Sequence, residues 1–154
     1  MQISELLGPE AVKFISSASS KKRLFHDLGD MAASLLGLNQ SRVVEALLDR
    51  EALGPTGVGQ GVALPHARLP GLTSVRGLFV RLDKPLDFNA VDRQPIDLAF
   101  CLLAPEEAGV EHLKALAAVS RTLRDAAVCA KLRANTDPDT LHTILTEQHG
   151  IQAA

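Results

Sequence analysis

His66 follows a proline and a run of alternating glycines, in the stretch Gly57-Val58-Gly59-Gln60-Gly61-Val62-Ala63-Leu64-Pro65-His66-Ala67-Arg68. A neutral imidazole carries a lone pair on one ring nitrogen, so it can act as a nucleophile, a base or a metal ligand. Glycines let backbone amides approach a ligand and take conformations closed to other residues. Val62-Ala63-Leu64 has strand-like composition, and Pro65, with its fixed φ and no N–H, is expected to end that strand. His66 is then held at a rigid strand end near solvent. For an arbitrary histidine the bland alternative, a loop residue at a strand exit, is the commoner one. Here packing alone gives little reason for an apolar-Pro-His-small-Arg string behind three spaced glycines.

The other chemistry-bearing residues narrow the choice. Five histidines are present, His26, His66, His112, His142 and His149, and none makes a metal-ligand spacing with another His or Cys, so no metal site is expected. There is no Gly-x-Ser-x-Gly elbow, and the Gly-rich loop lacks the Lys-Ser/Thr ending of a phosphate-binding P-loop, so neither hydrolase chemistry nor a nucleotide cofactor is indicated. A nucleophile or base role for His66 stays open, and one chemistry that these residues could serve is the acceptance of a phosphoryl group by a histidine. That reaction needs a neutral ring nitrogen in line with the phosphorus and donors for three equatorial oxygens, with no cofactor. The candidate donors are the Gly57, Gly59 and Gly61 amides, the Thr56 hydroxyl, Arg50 and His112. Arg50 has two even readings: a cation at a helix C-terminus, or a guanidinium reaching an anion beside the loop. The second ring nitrogen of His66 needs a fixed acceptor, which the sequence does not identify. His26, His142 and His149 lie on helical segments without companions and read as surface residues.

The elements that position these residues follow from periodicity. Leu24, Phe25, Leu28, Met31, Ala32, Leu35 and Leu36 form a helical stripe closed by Gly37. The Lys21-Lys22-Arg23 triplet that opens it reads as a solvated patch. Asn39 or Ser41 caps a second helix, with Val43, Val44, Leu47 and Leu48 buried and Gly54-Pro55 as its end. Val75 to Leu82 reads as a strand broken by Lys84-Pro85, then an Asp-rich excursion from Leu86 to Gln94. The run from Pro95 to Leu103 reads as a strand covered on both faces. A third helix is expected from Val110 to Arg124, its core face made by Leu113, Leu116, Ala117, Ser120 and Leu123, with His112 in its first turn. A shorter helix spans Ala126 to Arg133. The last helix is capped by Asp137 with Pro138 at its first position, is buried through Leu141, Ile144 and Leu145, and is closed by Gly150. This alternation predicts an α/β fold, a mixed β-sheet flanked by helices on both faces.

The 154 residues fit one domain, with its core at roughly 3–148. A net charge of −2 with no Trp and no Tyr gives no footprint for nucleic acid. No apolar run is long enough for membrane insertion, and no signal peptide is visible. Cys101 and Cys129 read as buried thiols of a cytosolic protein, with a disulfide poorly supported. The surface near His66, with Val58, Val62 and Leu64, is expected to be small and apolar.

The stretch from Thr56 to His66 resembles the active-site signature of the enzyme IIA proteins of the bacterial phosphotransferase system, mannitol/fructose superfamily. Ser20-Lys21-Lys22-Arg23, Glu45-Ala46-Leu47-Leu48-Asp49-Arg50-Glu51, Gln94-Pro95-Ile96-Asp97-Leu98 and Glu111-His112-Leu113-Lys114-Ala115-Leu116 extend the resemblance, in order, over most of the chain. It is strongest to the nitrogen-regulatory branch, a stand-alone enzyme IIA. The resemblance implies a cytoplasmic phosphotransferase whose His66 is phosphorylated by an HPr-like phosphocarrier, with His112 and Arg50 lining that site. It implies regulatory target proteins, such as components of potassium transport or sensor kinases, that respond to the phosphorylation state. A sugar-specific enzyme IIA of fructose or mannitol type, which passes the group to a transporter subunit, is the alternative. Ala67 departs from the family, which usually has Gly there, so a slightly different local backbone is expected.

Overall fold

The computed structural model describes residues 1–147. Two helices open the framework after a short α1 (Ile3–Leu6): α2 (Lys21–Leu36) and α3 (Gln40–Ala52). The Ser20 side chain caps α2 by accepting from the Arg23 N–H, and Gly37 ends it in the left-handed region at φ 69°. Asn39, not Ser41, caps α3. Leu24, Phe25, Leu28, Val43 and Leu47 are buried between the two helices and the sheet, each burial worth about 1.5–3 kcal/mol. Leu35, at the outer edge of the expected stripe, is exposed.

The strands are β1 (Val12–Ile15), β2 (Gly57–Gly59), β3 (Val62–Ala63), β4 (His66–Leu69), β5 (Arg76–Leu86) and β6 (Ile96–Pro105). They form one mixed sheet in the order β1-β5-β6-β3-β2, with β4 also on β6. β5 and β6 are antiparallel, whereas β1 on β5 and β3 and β4 on β6 are parallel. Leu98 to Ala104 are buried without alternation, since helices cover both faces. The remaining helices are α4 (Gly109–Leu123), α5 (Ala126–Arg133) and α6 (Pro138–Thr146). Asp137 caps α6, and Leu141, Ile144 and Leu145 are buried as expected. Gly150 and His149 lie outside the described residues.

Several expectations need correction. β1 is a short edge strand whose Val-Lys-Phe-Ile pattern is too brief to stand out. β5 runs through Lys84 and Pro85 to Leu86, because a register shift between Arg81 and Leu86 takes the proline out of the ladder. The Leu86–Gln94 excursion is anchored by the buried Phe88 and Ala90. Most consequentially, β3 does end ahead of Pro65, at Ala63, but the chain returns to β6 at once as β4. Ala63 lies opposite Ala99 and His66 opposite Leu102, the same register on either side. Pro65 cannot donate, yet its carbonyl still accepts from the Leu102 N–H at 2.9 Å. His66 therefore opens a strand held on the central sheet.

The charged and ring residues outside the site are also better anchored than expected. Lys21 pairs with Glu51 at 2.9 Å and sits 4.6 Å over the Phe88 ring, so it is no solvated charge. His142 Nε2 donates to the Leu7 carbonyl at 2.9 Å, and His26 Nδ1 bonds the Gln40 amide at 3.0 Å. Cys101 and Cys129 are free and buried, and burial pushes both thiols up. No described helix is long and apolar enough to cross a membrane.

Candidate functional site

Three elements bring Arg50, His66 and His112 together. Arg50 lies three residues after Leu47 and seven after Val43, so it prolongs the buried stripe of α3 to the helix end over β4. His66 opens β4. His112 occupies the N-terminal end of the inward stripe of α4, ahead of Ala115 and Val119, and is itself 5% exposed. The rings of His66 and His112 lie 5.5 Å apart between centroids at an interplanar angle of 76°.

Hydrogen bonds fix the tautomer of His66. Its Nδ1 lies 2.9 Å from the Leu64 carbonyl oxygen, which can only accept, so Nδ1 carries the proton. Its Nε2 accepts from Arg50 Nε at 3.2 Å, and a guanidinium can only donate. Nε2 thus holds the lone pair. Arg50 Nη1 donates in turn to the Gly54 carbonyl at 2.9 Å, which sets the plane of the guanidinium. Burial is the main influence lowering the His66 pKa; Arg50 adds to it, against opposing contributions from the Leu64 hydrogen bond and Glu51. The ring is neutral at neutral pH.

His112 is neutral for similar reasons. Burial first, then His66 and Arg68, lower its pKa to about 4. Desolvation is the largest of these causes. Arg68 Nε donates to His112 Nδ1 at 3.4 Å. His112 Nε2 is buried and has no hydrogen-bonding partner among the described residues. The two histidines and two arginines line an open cavity of about 520 Å³, with Ala46, Asp49, Leu53, Ala67, Leu113 and Leu116 completing the wall. Such a site offers one nucleophilic nitrogen, several cationic or N–H donors and an apolar rim. It suits a small anionic group delivered from solvent. Among the described residues no cluster of three or more His, Cys, Asp or Glu side chains is placed to hold a metal.

Residues 5–148 match the family described as phosphoenolpyruvate-dependent sugar phosphotransferase system, EIIA 2. The chain belongs to that family. This EIIA chain is 50% identical over 145 residues to a nitrogen regulatory protein of Bradyrhizobium diazoefficiens, covering 94% of this chain and 95% of the relative. It is 38% identical over 151 residues to the nitrogen regulatory protein of Escherichia coli strain K12, covering 97% and 93%. The crystal structure of the nitrogen regulatory protein IIA-Ntr from Neisseria meningitidis superposes with a TM-score of 0.87 at 36% identity, covering 94% of this chain and 99% of that one. The family carries a phosphotransfer role.

Not every expected site residue of the EIIA chain reaches the cavity. Thr56, Gly57, Gly59 and Gly61 do not line it. The Thr56 hydroxyl and N–H both donate to the Glu51 carboxylate, which also accepts from Lys21. This junction ties the end of α3, and so Arg50, to the start of β2. Gly57 is a glycine because a Cβ there would meet the Ala90 Cβ at 2.7 Å. Gly61, at φ 81°, completes a hairpin turn in which Gln60 is held by Asp92 and Arg133. These glycines build the hairpin rather than a phosphate cradle. Val62 and Leu64 are buried, so the apolar surface beside His66 comes instead from Leu53 and Leu113, 84% and 66% exposed. Leu113 and Ala117 thus lie off the core face of α4, which is made by Ala115, Ala118, Val119 and Leu123 with His112, and Leu116 packs against it partly buried. Ala67 is buried in β4 and is not among the residues with positive φ, so its departure from Gly brings no strain. Sequence reasoning gave Arg68 no role. The available signal was its spacing: two residues after His66 on a strand puts both on one face.

Proposed function

We propose that this chain accepts a phosphoryl group on His66 from an HPr-like phosphocarrier and regulates partner proteins through its phosphorylation state. The observation that carries the reading is the pairing of His66 Nδ1 with the Leu64 carbonyl, which leaves the lone pair on Nε2, held by Arg50 in a residue that lines the cavity. Nε2 attacks the phosphorus, and the P–N bond to the donor's histidine breaks as the new P–N bond forms. The electron pair of the broken bond returns to the donor ring. No proton need leave His66, since Nδ1 keeps its own and the Leu64 oxygen stabilises the charge growing on the ring. Arg50 gives up Nε2 and turns to a phosphoryl oxygen, and His112 Nε2–H is the natural partner of another.

The regulatory reading is supported by the relatives named for nitrogen regulation that cover nearly the whole chain. Phosphorylation adds about 1.5–2 negative charges beside exposed Leu53 and Leu113. A partner that covers this rim meets a desolvation cost in one state and not in the other. The test is incubation with a phosphorylated carrier followed by intact mass, with wild type and His66→Ala, then pull-downs with each form and sugar phosphorylation by membranes. One acid-labile, base-stable phosphoryl on wild type and none on His66→Ala is expected. Wild-type labelling of His66→Ala refutes the acceptor. Rapid consumption by membranes with one sugar, with no partner distinguishing the states, assigns the chain to sugar transport instead.

A further inference from the structure

We infer that Arg68 is a positioning residue that holds His112 in the tautomer with its proton on Nε2, so that His112 presents a neutral N–H donor beside His66. The argument starts from an inventory of donors. A guanidinium has no acceptor, so when Arg68 Nε approaches His112 Nδ1 at 3.4 Å, Nδ1 must supply the lone pair. The ring proton then sits on Nε2. That atom is buried and without a hydrogen-bonding partner among the described residues, in a ring that is 5% exposed overall. A buried N–H left without a partner is unfavourable. His112 lines the cavity that His66 shares, so an acceptor brought there by a ligand would meet a ring whose donor still lacks a partner.

The arrangement mirrors that of His66 with the opposite outcome. The Leu64 carbonyl draws the His66 proton to Nδ1 and leaves Nε2 as the nucleophile. Arg68 draws the His112 lone pair to Nδ1 and leaves Nε2 as a donor. Two chemically identical rings 5.5 Å apart thus receive different roles from their partners, one an oxygen acceptor and the other a cationic donor. The strand supplies the geometry, because His66 and Arg68 share a face of β4. Arg68 is itself exposed at the rim, so its replacement leaves the core untouched. The consequence for transfer rests on the proposed phosphoryl acceptance; the tautomer does not.

Two experiments separate them. In ring-¹⁵N-labelled wild type at neutral pH, NMR should find His112 as a single Nε2–H tautomer. Arg68→Met should shift the Nδ1 resonance and populate the Nδ1–H form. A wild-type ring protonated on Nδ1, or ring resonances unchanged by Arg68→Met, overturns the assignment with no phosphoryl donor involved. In the transfer assay Arg68→Met should slow phosphorylation of His66 about 10- to 100-fold, less than loss of the His112 donor itself. In a His112→Ala background the same change should cost nothing more, because Arg68 acts through the ring. Equal and additive losses in both backgrounds overturn the positioning role. If wild type accepts no phosphoryl at all, the proposed function fails while the NMR result stands.

Discussion

Acid should destabilise this fold through His112 before the carboxylates respond. The unfolded ring titrates at its ordinary value of 6.5 and the folded one at about 4. Above pH 6.5 both states leave the ring neutral and it contributes no pH dependence. As pH falls below 6.5 the unfolded state binds a proton that the folded state refuses, so stability is lost until the folded pKa is passed. Each pKa unit is worth about 1.4 kcal/mol, which sets a ceiling of about 2 kcal/mol lost by about pH 5. The ring borders an open cavity, and solvent screening brings the expected loss to about 1 kcal/mol. The assay is urea unfolding of wild type and His112→Gln at about pH 7.5 and about pH 5, with a slope limit set by one proton per molecule. Wild type should lose about 1 kcal/mol more than the variant between the two pH values. Parallel losses would show that His112 is protonated as easily folded as unfolded, and the argument for a neutral ring would fall.

Other outcomes follow from the same geometry. His112→Ala should slow phosphorylation of His66 by about 10²–10³-fold, the cost of one lost donor; an unchanged rate removes His112 from the reaction. Arg50→Lys keeps the charge but cannot bond both Nε2 of His66 and the Gly54 carbonyl in one plane, so transfer should fall about tenfold or more. Wild-type kinetics there would reduce Arg50 to a helix-end cation. Glu51→Ala leaves Lys21 and two Thr56 donors without their shared acceptor and should cost about 2–4 kcal/mol by urea unfolding. A change within about 0.5 kcal/mol would show that the junction contributes nothing to stability.

The helices were legible where local chemistry decides them. Asn39, Gly37 and Asp137 act within one turn of their own positions, and each stands where its side chain or φ requires. The central strands were legible from their unbroken apolar runs. What failed depended on partners far along the chain. Pro65 does close β3, but nothing local shows that β4 resumes in the same register, with the Pro65 carbonyl still bonded to β6. The glycines read as a ligand cradle because nothing in the local string shows Ala90, Asp92 and Arg133 arriving against them. The face of α4 was partly misread because Leu113 is larger than Ala115 and Ala118, and size outweighed phase. Of the site residues, Arg50, His66 and His112 converge as expected, whereas the Leu64 acceptor and Arg68 emerge only from the strand geometry.

The unbroken register through Pro65 bears on the reorganisation energy of the reaction. His66 is pinned to β6 by its backbone and to Leu64 by its ring, so Nε2 occupies one place relative to the sheet. Arg50, by contrast, reaches the ring through a long side chain and can rotate away without moving a strand. An arriving donor therefore meets a stationary nucleophile guarded by a displaceable cation. The work of rearrangement falls on side-chain torsions, which relax in picoseconds to nanoseconds, rather than on slower backbone motion.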